Sequence, residues 1–124
     1  MKRALPLVAT AALLASCGSG SSGPAETLPA GLDLTVKAVP TIRLDASAYG
    51  PVEAGEVAIG YENQDSVRHT LIVLKDGTRV GTFKSVVPAK GSVDSGTIKL
   101  DAGTYTLFCD VPGHSNMKAT LTVE

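Results

Sequence analysis

From Leu32 onward the chain alternates apolar and polar residues over short stretches that glycine, proline, asparagine and aspartate keep interrupting, and this pattern constrains the fold more than any other feature. Leu32, Leu34 and Val36, then Ile42 and Leu44, then Val57, Ile59 and Tyr61 recur with period two, the spacing of a strand with one buried face. HTLIVL, RVGTF, the stretch around Ile98 and Leu100, TYTLF and ATLTV follow, separated by turns such as KDGT and DAGT. No segment has the sustained 3.6-residue apolar spacing of a substantial helix, although SAYGPVEAG has room for a short turn. Strands at this density bury their apolar faces only by stacking as two sheets or closing into a barrel. The pattern therefore predicts an all-β fold, a Greek-key β-sandwich of seven or eight strands. Tryptophan is absent, which argues against an immunoglobulin-type core built on a buried Trp.

The N-terminus is of another kind. Lys2 and Arg3 precede an apolar run, LPLVATAALLAS, that is too short to span a bilayer as a mature helix and reads as an export signal. The run ends in Leu14-Ala15-Ser16-Cys17, which resembles the lipobox of bacterial lipoproteins, in which the cysteine is lipidated and becomes the first residue after cleavage. The expected organisation is a signal peptide over 1–16, a lipidated Cys17 with a flexible linker over 17–31, and one small domain over 32–124. A disulfide between Cys17 and Cys109 is the alternative, but the Gly/Ser/Pro tract after Cys17 offers no framework to hold a partner in place. Removing the signal deletes two of eleven basic residues and none of twelve acidic ones, leaving nine against twelve, a net charge of minus three. A mildly acidic chain without a basic stripe is not expected to bind nucleic acid.

Chemistry concentrates near the C-terminus. The whole sequence has two Cys, two His and two Met, and one of each falls within nine positions: Cys109, His114 and Met117. TYTLFC brings a thiol to the end of a strand, DVPGH an imidazole into a turn, and NMKATLTV a thioether to the start of the next strand. The other histidine, His69, opens HTLIVL after the polar turn ENQDSVR. Each alone has a bland reading: a hydrogen-bonded strand histidine, a buried small thiol, a core methionine. Together, two imidazoles and a thiolate with a thioether nearby form the ligand set of a mononuclear blue-copper site. Zinc would accept the same donors, but structural zinc sites recruit more cysteine and have no use for methionine.

Over 32–124 the sequence resembles the cupredoxins, the small blue copper proteins that include plastocyanin, azurin and amicyanin. The resemblance is carried by C-x4-H-x2-M after TYTLFC and by a distant His following an Asn-containing turn. CDVPGHS is similar to the azurin loop, and the short His-to-Met spacing is more like amicyanin. The resemblance implies one type 1 copper ion, with His69, Cys109 and His114 as ligands and Met117 in the axial position; the alternative is an axial position that is empty or filled by a backbone oxygen. It also implies that the imidazole edge of His114 is exposed and His69 buried. The family often has Asn directly after the first His; here Thr70 stands there, and its hydroxyl offers a shorter bond across the ligand loops while its N–H remains available to the Cys109 sulfur. Val111 stands where plastocyanin and amicyanin carry proline, so its N–H is expected to add a second donor to that sulfur.

Four protein ligands leave no open coordination position, so an enzyme is not expected. The function implied is a monomeric carrier of single electrons between redox proteins such as cytochromes or copper oxidases, lipid-anchored through Cys17 and facing the periplasm or cell exterior. A copper carrier or buffer supplying an exported oxidase is the alternative, and a metal-free interaction module is a third.

Overall fold

The computed structural model describes residues 26–124; the expected signal over 1–16 and Cys17 lie outside the described residues. No helix among the described residues is long and apolar enough to cross a membrane. In chain order the strands are β1 (Leu34–Val39), β2 (Arg43–Leu44), β3 (Ala48–Val52), β4 (Gly55–Asn63), β5 (His69–Lys75), β6 (Thr78–Arg79), β7 (Ser85–Val87), β8 (Val93–Leu100), β9 (Gly103–Phe108) and β10 (Lys118–Val123). One sheet runs β2-β1-β4-β8; the other runs β3-β10-β9-β5-β6, with β7 also paired to β5. β1 lies parallel to β4 and β10 parallel to β3, the other pairs being antiparallel. Neighbours so distant in sequence require the chain to cross repeatedly between layers, as the expected all-β sandwich does. Of the ten strands, β2 and β6 are two-residue ladders, which leaves eight of the kind that alternation reveals.

The interior is aliphatic. Val36, Val57, Ile59 and Tyr61 on one sheet face Leu71, Val73, Leu107 and Leu121 on the other, all wholly buried. Burying one such side chain contributes about 1.5–3 kcal/mol, so a domain of this size relies on nearly all of them. β5 is buried from His69 to Val73 without alternation, and β9, β6 and β7 pair along its edges.

Two stretches differ from their sequence reading. RVGTF is not a strand beyond Arg79. The KDGT turn, with Asp76 at φ +50° and Gly77 at φ +79°, reverses the chain into β6 as a two-residue hairpin loop requires, after which Phe83 leaves the ladder and buries its ring over Gly96. A Cβ at Gly96 would sit 3.2 Å from Phe83 Cε2. SAYGPVEAG holds no turn of helix but β3, which pairs with β10 across a register shift at Leu121/Val123. Pro51 is tolerated because β3 is an edge strand, and Gly50 is required because a Cβ there would lie 2.5 Å from Thr122 O. At the other side of the sandwich, Leu28 and Leu32 lie over Gly60, where a Cβ would meet their methyl groups at 2.5–3.2 Å.

Candidate metal centre

Strand register assembles most of the site. On β5, Leu71 and Val73 point into the core, so His69, two and four residues earlier, points the same way. On β9, Tyr105 and Leu107 point inward, and Cys109 continues that face one residue past the strand end; on β10, Leu121 and Val123 do so, and Met117 extends the face at the strand's start. The three strands are neighbours in the order β10-β9-β5. His69, Cys109 and Met117 are thus three core positions at one end of one sheet, each fully buried, and Cys109 N donates to Met117 O at 3.1 Å.

The loop supplies the fourth group. His114 N donates to Val111 O at 3.0 Å, and the turn between them has Pro112 at its second position and Gly113 at φ +87° at its third, the signature of a type II turn. A second turn follows directly, with Met117 N donating to His114 O at 2.9 Å. Two reversals in succession swing His114 back over the strand ends. Its Nδ1 lies 3.7 Å from Cys109 Sγ, its ring centroid is 5.0 Å from that of His69, and it is half-buried where His69 is wholly enclosed.

One donor atom from each of His69, Cys109 and His114 lies within 4.8 Å of the others. Donors sharing one ion at bond lengths of about 2.0–2.3 Å stand roughly 3.5–4 Å apart, so a small contraction closes the set. The residues fit a metal on a second ground. His69 Nε2 is hydrogen-bonded to Asp65 Oδ2 at 2.9 Å, whereas His69 Nδ1 has no partner although it is buried, a condition it shares among the described residues only with the Tyr61 hydroxyl. A buried polar atom left unsatisfied costs about 1–3 kcal/mol. An imidazole that gives its proton to Asp65 at Nε2 keeps a free lone pair at Nδ1, the form that coordinates. A set of two imidazoles, one thiolate and a buried thioether fits a single type 1 copper ion.

Around the donors is a polar framework that the sequence reading only partly anticipated. Thr70 N donates to Cys109 Sγ at 3.4 Å, as expected, and the Thr70 hydroxyl reaches across to Asp110: it donates to Asp110 Oδ1 and accepts from Asp110 N at 3.0 Å. This ties β5 to the loop, the bond expected of the Thr70 hydroxyl. Val111 differs from its expectation: among the described residues its N–H makes no bond to Cys109 Sγ, whose other polar contacts are the Thr70 hydroxyl at 3.6 Å and His114 Nδ1. Lys84 pairs with Asp110 at 2.9 Å. Burial would push the Asp110 carboxyl up, but the hydrogen bonds from Thr70 and Lys84 hold it below the usual carboxylate range.

ENQDSVR, read from sequence as a polar turn only, contains two residues the site depends on. Asn63, fully buried, donates from Nδ2 to Val67 O at 2.8 Å and Val87 O at 3.0 Å, and its Oδ1 accepts from Asp65 N at 2.8 Å. Asp65 is desolvated, which alone would raise its pKa; the hydrogen bonds from the His69 ring and from the Ile42 and Ser66 amides more than offset this and keep the carboxyl below its usual range. An acidic residue four positions before the lone strand histidine was the available signal.

No protein-family model matches this chain, and no curated protein matches it. Solved structures do. It is similar to a reduced auracyanin from the photosynthetic bacterium Roseiflexus castenholzii, at 16% identity and a TM-score of 0.65 over 77% of this chain and 99% of that one. Auracyanin A of Chloroflexus aurantiacus, described as a "blue" copper protein, matches at 20% identity and a TM-score of 0.60 over 76% of this chain and 100% of that one. A purple cupredoxin from Nitrosopumilus maritimus matches at 18% identity and a TM-score of 0.54 over 74% and 100%. At such identities the likeness is one of architecture, and with two sheets in this order and a His-Cys-His cluster at one end, the chain is a domain of the cupredoxin fold.

Proposed function

We propose that this protein carries single electrons between redox proteins, using one type 1 copper ion that His69 Nδ1, Cys109 Sγ and His114 Nδ1 would hold, with the buried Met117 thioether as a fourth donor. The observation that carries the reading is the unpartnered, buried Nδ1 of His69 beside a thiol and a second imidazole. Copper bound there supplies one-electron chemistry, and one electron taken from a reduced partner is passed to an oxidised one with no bond made or broken. The chain's part is to keep the donors still. Cys109 is pinned by its backbone bond to Met117 and by Thr70 N–H, and His69 by Asp65, so little has to rearrange when the charge changes. Copper addition to the metal-free domain is expected to give an intense visible band and a reversible one-electron wave with fast self-exchange. Ready loss of copper to a weaker chelator, without such a wave, would favour a copper carrier instead.

His114 is the proposed exit for the electron, because it alone of the imidazoles reaches the surface, beside Val111 and the exposed Pro112. An apolar approach has no charges to desolvate, which suits a brief encounter with a cytochrome or a copper oxidase. Val111→Lys is therefore expected to slow reduction of the natural partner at least tenfold while shifting the visible spectrum little. Equal stopped-flow rates for both proteins would move the docking face elsewhere.

Cys17 is proposed as a lipidated anchor that holds a monomeric domain to a bacterial membrane, on the periplasmic or outer face. Cys17→Ala should release the protein into the soluble fraction, as cell fractionation would report; retention on the membrane refutes the anchor.

A further inference from the structure

We infer that Asp65 is a positioning residue of the metal centre: its buried carboxylate fixes the proton of His69 on Nε2, presents Nδ1 to the metal, and sets the reduction potential low without touching the ion. The inference rests on the copper reading above.

Asp65 is 5% exposed, and every polar neighbour of its carboxylate is a nitrogen. Oδ1 accepts from Ser66 N at 2.7 Å; Oδ2 accepts from Ile42 N at 3.1 Å and contacts His69 Nε2 at 2.9 Å. A carboxylate has room for about four such bonds and, when ionised, can only accept. Facing an ionised carboxylate whose other neighbours are both amide donors, the ring nitrogen carries the proton, which assigns the tautomer of His69. The second nitrogen, Nδ1, is the buried atom with no partner.

The carboxylate is itself held. Asn63 Oδ1 takes the Asp65 amide while Asn63 Nδ2 bridges Val67 O and Val87 O, so the segment leading to β5 is closed upon itself before His69 begins. Ile42 contributes its N–H from outside this segment while standing at φ +54°, a strained conformation for a β-branched residue. A turn that needed only an Asx bond would have no use for that third donor. Outer partners of metal-bound histidines commonly change affinity 10–100-fold when removed, and a fixed negative charge favours the more positive, oxidised state of the centre.

The bland alternative is that Asp65 merely closes the turn and meets His69 incidentally. Asp65→Asn separates the two, since asparagine keeps an acceptor for His69 and loses the charge. The expected result is a protein that is still blue, with its Cu(II)-to-Cu(I) affinity ratio reduced about tenfold, read as a midpoint potential about 59 mV more positive. Any fall beyond twofold in that ratio supports the inference; a ratio unchanged within twofold, or a fall in potential, overturns it. If Asp65→Asn does not fold, nitrogen-15 NMR of the metal-free wild type decides: a His69 proton on Nε2 supports the assignment, and one on Nδ1 overturns it. A wild type that binds no copper in coloured form would sink the copper reading, while the NMR result would still judge the Asp65–His69 pairing.

Discussion

Cys109→Ser is expected to abolish the intense visible band of the copper-loaded protein completely. The band requires a thiolate, and no second thiol lies among residues 26–124. A serine hydroxyl would have to lose its proton to take the same place, which at neutral pH it does not. The fold has little reason to fail. The backbone bond from position 109 to Met117 O does not involve the side chain, and replacing sulfur by oxygen removes little volume, so a loss of about 1 kcal/mol is expected in the metal-free domain. Absorption spectra together with urea melts of both proteins check this. A Ser variant that remains blue would overturn the assignment of Cys109, and an unfolded one would place its main role in the core.

Asn63→Ala should be the most destabilising polar substitution in the domain. The side chain is inaccessible and makes three hydrogen bonds, to Val67 O, to Val87 O and from Asp65 N. Alanine leaves all three partners unmatched, two of them, Val87 O and Asp65 N, in buried positions. At about 1–3 kcal/mol for each group stranded in the interior, the loss is expected to be roughly 3–5 kcal/mol, a large part of the 5–15 kcal/mol that holds typical domains together. For a domain of this size that lowers Tm by more than about 10 °C. Asn63→Asp should do no better, because it keeps the acceptor for Asp65 N but turns a second oxygen toward the two carbonyls. Thermal melts of the metal-free domain give the answer; a cost under about 1 kcal/mol for alanine would show that the turn closes without Asn63. Copper affinity should fall in parallel, since Asp65 and His69 follow directly in the chain.

Period two in Leu34–Val36, Val57–Tyr61 and ATLTV is a local property, and it was enough to give strands and a two-layer core, because which face of a strand is buried is written into the strand itself. The loop was legible for the same reason. Cys109, His114 and Met117 are close along the chain, and Pro112 and Gly113 dictate the turn that folds them together. What no local pattern carries is which strands lie side by side. His69 reaches Cys109 only because β5 pairs with β9 in the register Ile72↔Phe108, a contact made across the intervening hairpin and β8. Thr70 reaches Asp110 through the same pairing, and Ile42 meets Asp65 from 23 residues away. SAYGPVEAG became a strand because β10 offered it an open edge, and RVGTF lost its strand because the core had a place over Gly96 for Phe83. Hydrophobic period determined the strands and the turn chemistry determined the loop; only long-range hydrogen bonding and packing decided the neighbours, because those energies belong to pairs of distant segments and are absent until both are in place.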